Sequence, residues 1–240
     1  MSTMLWTSDA MATAMRAAPQ GALPDGVTGL SIDSRTIQPG EAYFAIKGDV
    51  HDGHVFVDAA LKAGAALAVV ATDKRGAFAA DAPLLVVDDV LDGLVRLAHA
   101  SRARLTGQVI AVTGSVGKTS TKEMLRRVLS AQGETHASVA SFNNHWGVPL
   151  TLARCPATAK FAVFEIGMNH AGEITPLVGM VRPHLAVVTT VEPVHLEFFA
   201  NVEAIADAKA EIFSGVEPGG AAVLNRDNPQ FARLQKKAKA

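Results

Sequence analysis

The chain has 240 residues, 49% of them hydrophobic, and a formal net charge of -1. At roughly 150 residues per domain this length allows one or two domains with buried cores, and we expect two. The near-neutral charge excludes a global positive field that would attract nucleic acid, and no apolar run approaches the ~20 residues needed to span a membrane. Cys155 is the single cysteine, which excludes an internal disulfide and predicts a cytoplasmic protein.

Residues 1–87 predict a small mixed α/β unit. A short helix is expected where Ser8, as a cap, precedes AMATAMRAA, and Pro19 lies beyond its end. A second helical stretch reads HVFVDAALKAG. The other signals are short runs rich in β-branched and aromatic residues, which are typical of strands. Those runs are VTGLSID (27–33), AYFAI (42–46), ALAVVA (66–71) and LLVVD (84–88).

Residues 88–240 predict a more regular alternation of helices and strands. The strand candidates are apolar on both faces, which indicates a parallel sheet covered by helices on both sides. The expected fold is therefore α/β, with the small mixed domain followed by a P-loop-type parallel sheet. The helix candidates are VLDGLVRLAHASRARL, KTSTKEMLRRVLSAQ, EITPLVGMV and VEAIADAKAEIF, and the strand candidates are QVIAVTG, FAVFEIG, LAVVTTV and AAVLN.

One strand-to-helix junction, VTGSVGKTS at 112–120, has the composition of a phosphate-binding loop. Its backbone amides would face an anion at the helix N-terminus, where the helix dipole also favours negative charge. Lys118 can reach terminal phosphates and Thr119 can offer its hydroxyl to Mg²⁺, which together describe a nucleoside triphosphate site. The spacing is G-x-x-G-K-T, and the first glycine of the longer pattern G-x-x-x-x-G-K-[ST] would fall at Val112. The predicted nucleotide-binding residues are Thr113, Gly114, Ser115, Val116, Gly117, Lys118, Thr119 and Ser120.

Two more polar residues follow strands of the same predicted sheet. Glu165 ends the strand FAVFE, and His195 comes shortly after LAVVTTV. Ligands of open parallel sheets bind beyond the carboxyl ends of the strands, so both side chains should meet the loop there. Glu165 could hold Mg²⁺, and His195 could ligate a second ion or orient a water. The alternatives are that Glu165 pairs with a neighbouring base and that His195 caps a helix.

Four segments in order resemble the Mur ligases of peptidoglycan synthesis, and within them the branch that adds D-alanyl-D-alanine. They are VTGSVGKTSTKEML (112–125), SFNNHWGVPLTL (141–152), FEIGMNHAGEI (164–174) and the series H-x-x-x-F…A-x-A-K-x-E-I (195–212). The segment at 31–65 is similar to the nucleotide-sugar domain of that branch. The resemblance covers most of the chain.

The resemblance implies ATP-dependent amide bond formation. A carboxylate of UDP-N-acetylmuramoyl-tripeptide would attack the γ-phosphate of MgATP to give an acyl phosphate, and the amine of D-alanyl-D-alanine would displace phosphate. Lys118 and Thr119 would then serve the phosphates and Mg²⁺, and Glu165 and His195 the metal ions. Positioning and charge neutralisation are what phosphoryl transfer needs most. We expect a monomer that uses neither nucleic acid nor a membrane.

The resemblance also assigns several residues of lower rank. Asn143 and Asn144 match an Asn-Asn motif and would line the nucleotide cleft, although Asn-Asn before Trp-Gly is also ordinary turn chemistry. Asn169 and His170 would bind substrate, and the alternative is that they cap the helix that begins near Glu173.

Lys209 in IADAKAEIF would, without the resemblance, be a solvated helix lysine. Related ligases carry a carbamylated lysine at the matching place, where the added carboxylate helps to hold Mg²⁺. The resemblance therefore implies that Lys209 is carbamylated. This chemistry needs a neutral amine, which nearby cations favour by lowering the amine pKa.

Ser34, Arg35 and Thr36 are the candidate residues for the UDP-sugar in the first domain. Arg35 could hold a diphosphate with two hydrogen bonds, and the two hydroxyls could bond uridine or phosphate oxygens. A turn stabilised by Asp33 is the alternative.

The family's members continue into a further Rossmann-like domain, so we expect this chain alone to bind its ligands weakly and to lack complete ligase activity. Two other classes stay open. One is a P-loop NTPase of another kind, for which NRDN (225–228) loosely resembles a guanine-reading N-K-x-D. The other is a non-catalytic fragment that binds UDP-sugar or nucleotide without turnover.

Overall fold

The computed structural model describes residues 3–48, 50–139, 142–194 and 197–239. The chain divides into two compact units, Met1–Ala100 and Ser101–Ala240. The predicted domain boundary between residues 87 and 88 stays a prediction, and a long helix runs from that point through the division between the units. None of the helices within the described ranges is long and apolar enough to cross a bilayer.

The first unit is built around a five-stranded sheet in the order β2-β7-β6-β5-β4. Neighbouring strands are parallel except for β2, which lies antiparallel to β7 at one edge, and β1 and β3 form a separate antiparallel pair. The elements are β1 (Trp6–Thr7), α1 (Ser8–Met15), β2 (Ala18–Gln20), β3 (Gly26–Val27), β4 (Gly29–Ser31), β5 (Glu41–Phe44), α2 (Val57–Lys62), β6 (Leu67–Ala71), β7 (Leu84–Val87) and α3 (Val90–Arg104).

The predicted strands and helices of this unit are present, with small shifts at their ends. Helix α1 is capped one residue earlier than predicted, because the side chain of Thr7 accepts a hydrogen bond from Ala10 N at 3.2 Å and Ser8 is already helical. The run predicted at 27–33 divides into β3 and β4. Four consecutive residues of β7 are buried, as expected for a strand covered on both faces.

The second unit contains a five-stranded parallel sheet in the order β12-β11-β8-β10-β9, which confirms the predicted α/β class with helices flanking a parallel sheet. The apolar face of α4 packs on it through Leu125 and Leu129, against Ile110, Val112 and Val163. The elements are β8 (Gln108–Thr113), α4 (Lys118–Ser130), β9 (Thr135–Ala137), α5 (Gly147–Ala153), β10 (Phe161–Glu165), α6 (Ile174–Val181), β11 (Leu185–Val188), α7 (Val202–Ala210), β12 (Ala221–Leu224) and α8 (Phe231–Ala238).

The strand order brings the ends of three strands together. Strand β8 lies between β10 and β11, with Glu165 in register with Val112 and Val188 in register with Thr113. The chain moves from β8 towards one edge of the sheet and later returns past β8 towards the other. A crevice at this reversal, beyond the carboxyl ends of the strands, is where open α/β sheets bind ligands.

Cys155 lies at the end of α5 and is 1% exposed. Burial raises the pKa of its thiol to about 12, against the opposing influence of Arg104. The thiolate needed for nucleophilic chemistry is therefore disfavoured, and Cys155 acts as a small buried hydrophobe.

Candidate nucleotide and metal site

The loop between β8 and α4 has the backbone geometry that its glycines predict. Gly114 has φ 147° and Gly117 has φ 84°, a region that disfavours side chains. A Cβ atom at Gly114 would collide with Thr189 Oγ1. Gly117 is the N-cap of α4 and supplies no side-chain cap, so the first amides of the helix are left to bind an anion.

The segment that follows β11 holds this loop in place. Thr189 Oγ1 donates to Val116 O at 2.6 Å, and Ser115 N donates to Thr190 O at 2.8 Å. The Ser115 hydroxyl accepts from Glu192 N at 2.9 Å. The Ser115 side chain is therefore engaged by the protein, whereas Val116 and Ser120 are exposed. These bonds fix the loop before any ligand arrives, which lowers the entropy lost on binding.

Lys118, the first residue of α4, folds back over the loop. Its Nζ donates to Gly114 O at 2.8 Å. Burial lowers the pKa of its ammonium, and the charge of Glu165 opposes that effect. Carbonyl oxygens are weaker partners for an ammonium than phosphate oxygens are, so Lys118 is positioned to turn to an anion bound in the loop.

Glu165 and Thr119 are in direct contact. The sequence predicted that Glu165 would meet the phosphate loop beyond the ends of the strands. The Glu165 carboxylate is 1% exposed, and its Oε2 accepts from Thr119 Oγ1 at 2.9 Å. Its Oε1 accepts from Asn143 Nδ2 at 2.8 Å. Thr113 Oγ1, at the end of β8, is buried and has no hydrogen-bond partner within the described residues. A buried carboxylate thus contacts the Thr119 hydroxyl at the foot of the loop.

This donor set fits Mg²⁺. The ion prefers oxygen ligands and is usually held by one or two protein oxygens together with waters and substrate phosphates. No group of three or more His, Cys, Asp or Glu side chains suited to a metal occurs in the part of the chain that the structure describes. The Thr119 hydroxyl and the Glu165 carboxylate are oxygen ligands of this kind. His195, the other predicted metal ligand, lies outside the described residues.

The sequence left two roles open for the asparagines of FNN, a place in the cleft or a turn, and the two residues differ in the structure. Asn144 Oδ1 accepts from Trp146 N at 3.2 Å and Gly147 N at 2.9 Å, so this residue forms the turn that begins α5. Asn143 instead reaches Glu165, and its backbone carbonyl accepts from Gly167 N at 2.8 Å. Asn143 therefore orients the carboxylate, and Asn144 shapes the loop that carries it.

Asn169 and His170 lie in the exposed loop after β10, and Glu173 holds both. Glu173 accepts from Asn169 N at 2.7 Å and contacts His170 Nδ1 at 2.9 Å. The His170 ring lies 4.5 Å from the ring of Phe198, centroid to centroid. Asn169 through its backbone and His170 through its ring thus contact Glu173, the N-cap residue of α6.

The cap of α6 comes from Glu211, which sequence reasoning missed. Its carboxylate accepts from Gly172 N at 2.6 Å and from Thr175 N at 3.0 Å. The only available signal was its place in A-K-x-E-I, two residues after Lys209. Glu211 thus joins the end of α7 to the loop that leaves β10.

Lys209 is 2% exposed, so the expectation of a solvated helix lysine is wrong for this residue. Burial, and then the charge of Lys118, lowers the pKa of its amine from 10.5 to about 7. Within the described residues, the Lys209 amine has no hydrogen bond or ion pair. A buried, partly neutral amine near a second cation matches what carbamylation needs.

In the first unit, Arg35 makes a two-bond ion pair with its neighbour Asp33, at 2.9 and 2.7 Å. This hydrogen bonding lowers the pKa of the Asp33 carboxyl. Thr36 N donates to Asp33 O at 3.3 Å, so the turn stabilised by Asp33 is present, with Ser34 half-buried inside it. The Arg35 side chain is 85% exposed and remains available to an anion.

The segment NRDN does not present a guanine-reading amide. Asn228 is 7% exposed, and its Nδ2 donates to Thr190 Oγ1 at 2.9 Å and Val191 O at 3.0 Å. Asn225 Oδ1 accepts from Asp227 N at 3.1 Å. These amides are used by the fold, which disfavours the guanine-binding alternative.

Comparison with known families gives two matches along the chain. The description "Mur ligase middle domain" fits residues 112–240, and "Mur ligase family, catalytic domain" fits residues 26–103. The first match alone covers more than half of the chain, including the phosphate loop, Glu165 and Lys209.

Curated relatives carry the name UDP-N-acetylmuramoyl-tripeptide–D-alanyl-D-alanine ligase. The protein of Escherichia coli (strain K12) is 39% identical over 206 residues, which is 86% of this chain and 45% of the relative. That of Mycobacterium tuberculosis (strain ATCC 25618 / H37Rv) is 37% identical over 238 residues, 91% of this chain and 46% of the relative. The chain thus spans about half the length of the curated relatives it matches.

Solved structures give the same result. A crystal structure of MurF from Acinetobacter baumannii superposes with a TM-score of 0.84 at 32% identity, over 100% of this chain and 52% of that one. MurF ligase from Thermotoga maritima in complex with ADP superposes with a TM-score of 0.73 at 30% identity, over 88% of this chain and 48% of that one.

Proposed function

This chain belongs to the Mur ligase family, and from that membership we propose that it carries the UDP-sugar-binding and ATP-binding parts of a ligase that joins D-alanyl-D-alanine to UDP-N-acetylmuramoyl-tripeptide. The names of its relatives support this substrate pair. We assign the UDP-sugar to residues 1–87 and ATP with Mg²⁺ to residues 88–240. We further propose a monomeric cytoplasmic protein, because ATP and a nucleotide-linked precursor are substrates of that compartment.

The proposed reaction has two steps. A carboxylate oxygen of the tripeptide attacks the γ-phosphorus of ATP, and the bond from this phosphorus to the β-phosphate oxygen breaks. ADP leaves, and the tripeptide now carries an acyl phosphate. The amine of D-alanyl-D-alanine then attacks the acyl carbon, inorganic phosphate leaves, and the amine loses a proton. Lys118 would bind the terminal phosphates, and the amides of Gly114 to Gly117 would surround them.

Thr119 and Glu165 are the proposed Mg²⁺ ligands, together with His195. When bound, Mg²⁺ supplies charge neutralisation at the phosphates. Asn143 orients the Glu165 carboxylate, and Lys209, once carbamylated, would add a further oxygen ligand. Asn169 and His170 would contact the peptide part of the substrate.

The observation that carries this proposal is the 2.9 Å contact between Thr119 Oγ1 and Glu165 Oε2. A residue of the phosphate loop and the last residue of a neighbouring strand, 46 positions apart, meet through a part-buried hydrogen bond, with Glu165 itself 1% exposed. A structural reason alone would favour an apolar pair, because burying a carboxylate without a cation is costly. The pair is explained if both oxygens serve a divalent ion at the phosphates.

Calorimetric titration of the 240-residue chain tests the proposal. We expect ATP to bind at least about tenfold more tightly with Mg²⁺ than with EDTA, and more tightly than GTP. UDP-N-acetylmuramoyl-tripeptide should bind in a separate experiment without nucleotide. A preference for GTP would favour a different P-loop class, and binding of neither ATP nor the UDP-linked peptide would contradict the assignment.

Replacing Arg35 tests the UDP-sugar site. We expect Arg35→Met to weaken binding of UDP-N-acetylmuramoyl-tripeptide by roughly 10- to 100-fold, because hydrogen bonds to charged groups contribute about 1.5–3 kcal/mol each. ATP binding should not change. The matched control is Lys62→Met, which removes an exposed cation from the same unit. Equal affinities of the two variants for UDP-N-acetylmuramoyl-tripeptide would show that Arg35 does not bind this ligand.

A further inference from the structure

Lys122 lies on α4 one turn after Thr119 and is completely buried, with 0% exposure. Lysine is almost never fully buried unless its ammonium is paired. Its Nζ donates to Ser138 O at 2.8 Å and forms an ion pair with Glu123 Oε1 at 2.8 Å. A hydrophobic residue of similar length would avoid the cost of removing this charge from water. The burial of Lys122 therefore indicates that its ammonium is kept for the polar contacts it makes.

The residue that Lys122 contacts also holds the strand that ends in Glu165. Ser138 follows β9, is 3% exposed, and donates from its backbone N to Val163 O at 3.2 Å. Its hydroxyl accepts a hydrogen bond from Glu165 N at 3.2 Å. Ser138 thus fixes the backbone of the residue whose carboxylate meets Thr119.

These contacts form a closed ring. Helix α4 reaches Glu165 directly through the Thr119 hydroxyl, and a second time, one turn along, through Lys122 and Ser138. Two attachments between the same helix and the same strand end restrict both their separation and their rotation. A group that holds a metal ligand in place in this way influences metal affinity without touching the ion.

We propose that Lys122 is a positioning residue for the magnesium site, which acts through Ser138 to set the distance between the Thr119 hydroxyl and the Glu165 carboxylate. The inference rests on the proposed function, because it assumes that these two oxygens serve Mg²⁺. It differs from a purely structural role in one measurable respect. Loosening the ring should weaken the contribution of Mg²⁺ to nucleotide binding more than it weakens metal-free binding.

The test compares dissociation constants for ADP with Mg²⁺ and with EDTA, measured by calorimetry on the 240-residue chain. Their ratio is the magnesium-linked gain. We expect Lys122→Met and, independently, Ser138→Ala to reduce this gain by about tenfold, with affinity in EDTA changed less than about twofold. Arg127→Met is the matched control, since it removes an exposed cation from the same helix, and should keep the full gain. Thermal unfolding shows which variants are folded.

Each outcome supports or contradicts the positioning role of Lys122. If Lys122→Met does not fold, Ser138→Ala alone carries the test, because it leaves the carbonyl that Lys122 uses in place. An unchanged gain in the folded variants, or equal losses with and without Mg²⁺, overturns the positioning role. Absence of any gain in the unaltered chain overturns the proposed metal site itself, and that result is visible before any variant is made.

Discussion

Lys118→Met is expected to weaken binding of ATP with Mg²⁺ by roughly 30- to 5,000-fold. The range corresponds to the loss of about 2–5 kcal/mol when one partner of a close, partly buried charge pair is truncated. Lys118 Nζ already lies over the loop, 2.8 Å from Gly114 O, so its position for the phosphates is prepared. Methionine keeps the length of the side chain and removes only the charge. Calorimetry measures the change.

The fold should survive this substitution. Burial lowers the pKa of Lys118, which means that the charged form is disfavoured in the folded protein and that a neutral side chain relieves this cost. Lys160→Met, which removes a cation bonded to Gln132 O at 3.1 Å, is the control and should bind ATP normally. Similar affinities for both variants would separate Lys118 from the phosphates and would contradict the nucleotide site.

The sequence identified the sheet and its phosphate loop because both follow from local rules. Strand β8 is apolar on both faces, as a central parallel strand must be, and Gly114 and Gly117 occupy positions that require φ above zero. Strand order then places Glu165 beside the loop, since the carboxyl ends of neighbouring parallel strands share one edge. These inferences need the pairing of strands and no other contact between residues distant in sequence.

Other features depend on tertiary packing and were not predictable from local pattern. Helix α5 is buried on all sides over its seven residues, so it has no amphipathic period, and β9 is a three-residue edge strand with half-buried side chains. The burial of Lys209 and Lys122 follows from what packs over α7 and α4. A lysine in a helical pattern is normally solvated. The family resemblance set Lys209 apart from this rule, whereas nothing in the local sequence did so for Lys122.

The electrostatics of the second unit also arise from tertiary structure. Lys118 and Lys209 are distant in sequence, yet the charge of Lys118 is the second cause of the lowered pKa at Lys209, after burial. The charge of Lys118 disfavours protonation of the Lys209 amine, because the two like charges repel when both are present. A bound anion would offset this repulsion, whether it is a phosphate or a carbamate on Lys209 itself.

Lys209→Met is expected to raise the free energy of unfolding at about pH 6.5 by up to roughly 5 kcal/mol, the size that corresponds to lowering an amine pKa from 10.5 to about 7. Below pH 7 the amine is protonated in both states, so the folded protein carries the full cost of the buried charge. As the pH rises from 7 towards 10.5 only the unfolded state binds the proton, and the stability of the unaltered chain increases. The advantage of the variant should therefore shrink over this range. Urea unfolding in carbon dioxide-free buffer measures it, and a parallel offset at every pH would contradict the lowered pKa.

The same neutral amine is expected to make Lys209 reactive towards carbon dioxide. Its lone pair forms a bond to the carbon of CO₂, a carbamate results, and the nitrogen releases a proton. In ¹³C-bicarbonate we expect a carbamate NMR signal that grows as the pH passes about 7 and that is lost in Lys209→Met. Lys236→Met, which removes an exposed lysine of α8, should keep the signal. The buried carbamate would gain Lys118 as a cationic neighbour, so Lys118→Met should reduce the signal as well. A signal that persists in Lys209→Met would place the modification elsewhere and leave Lys209 as an unmodified buried amine.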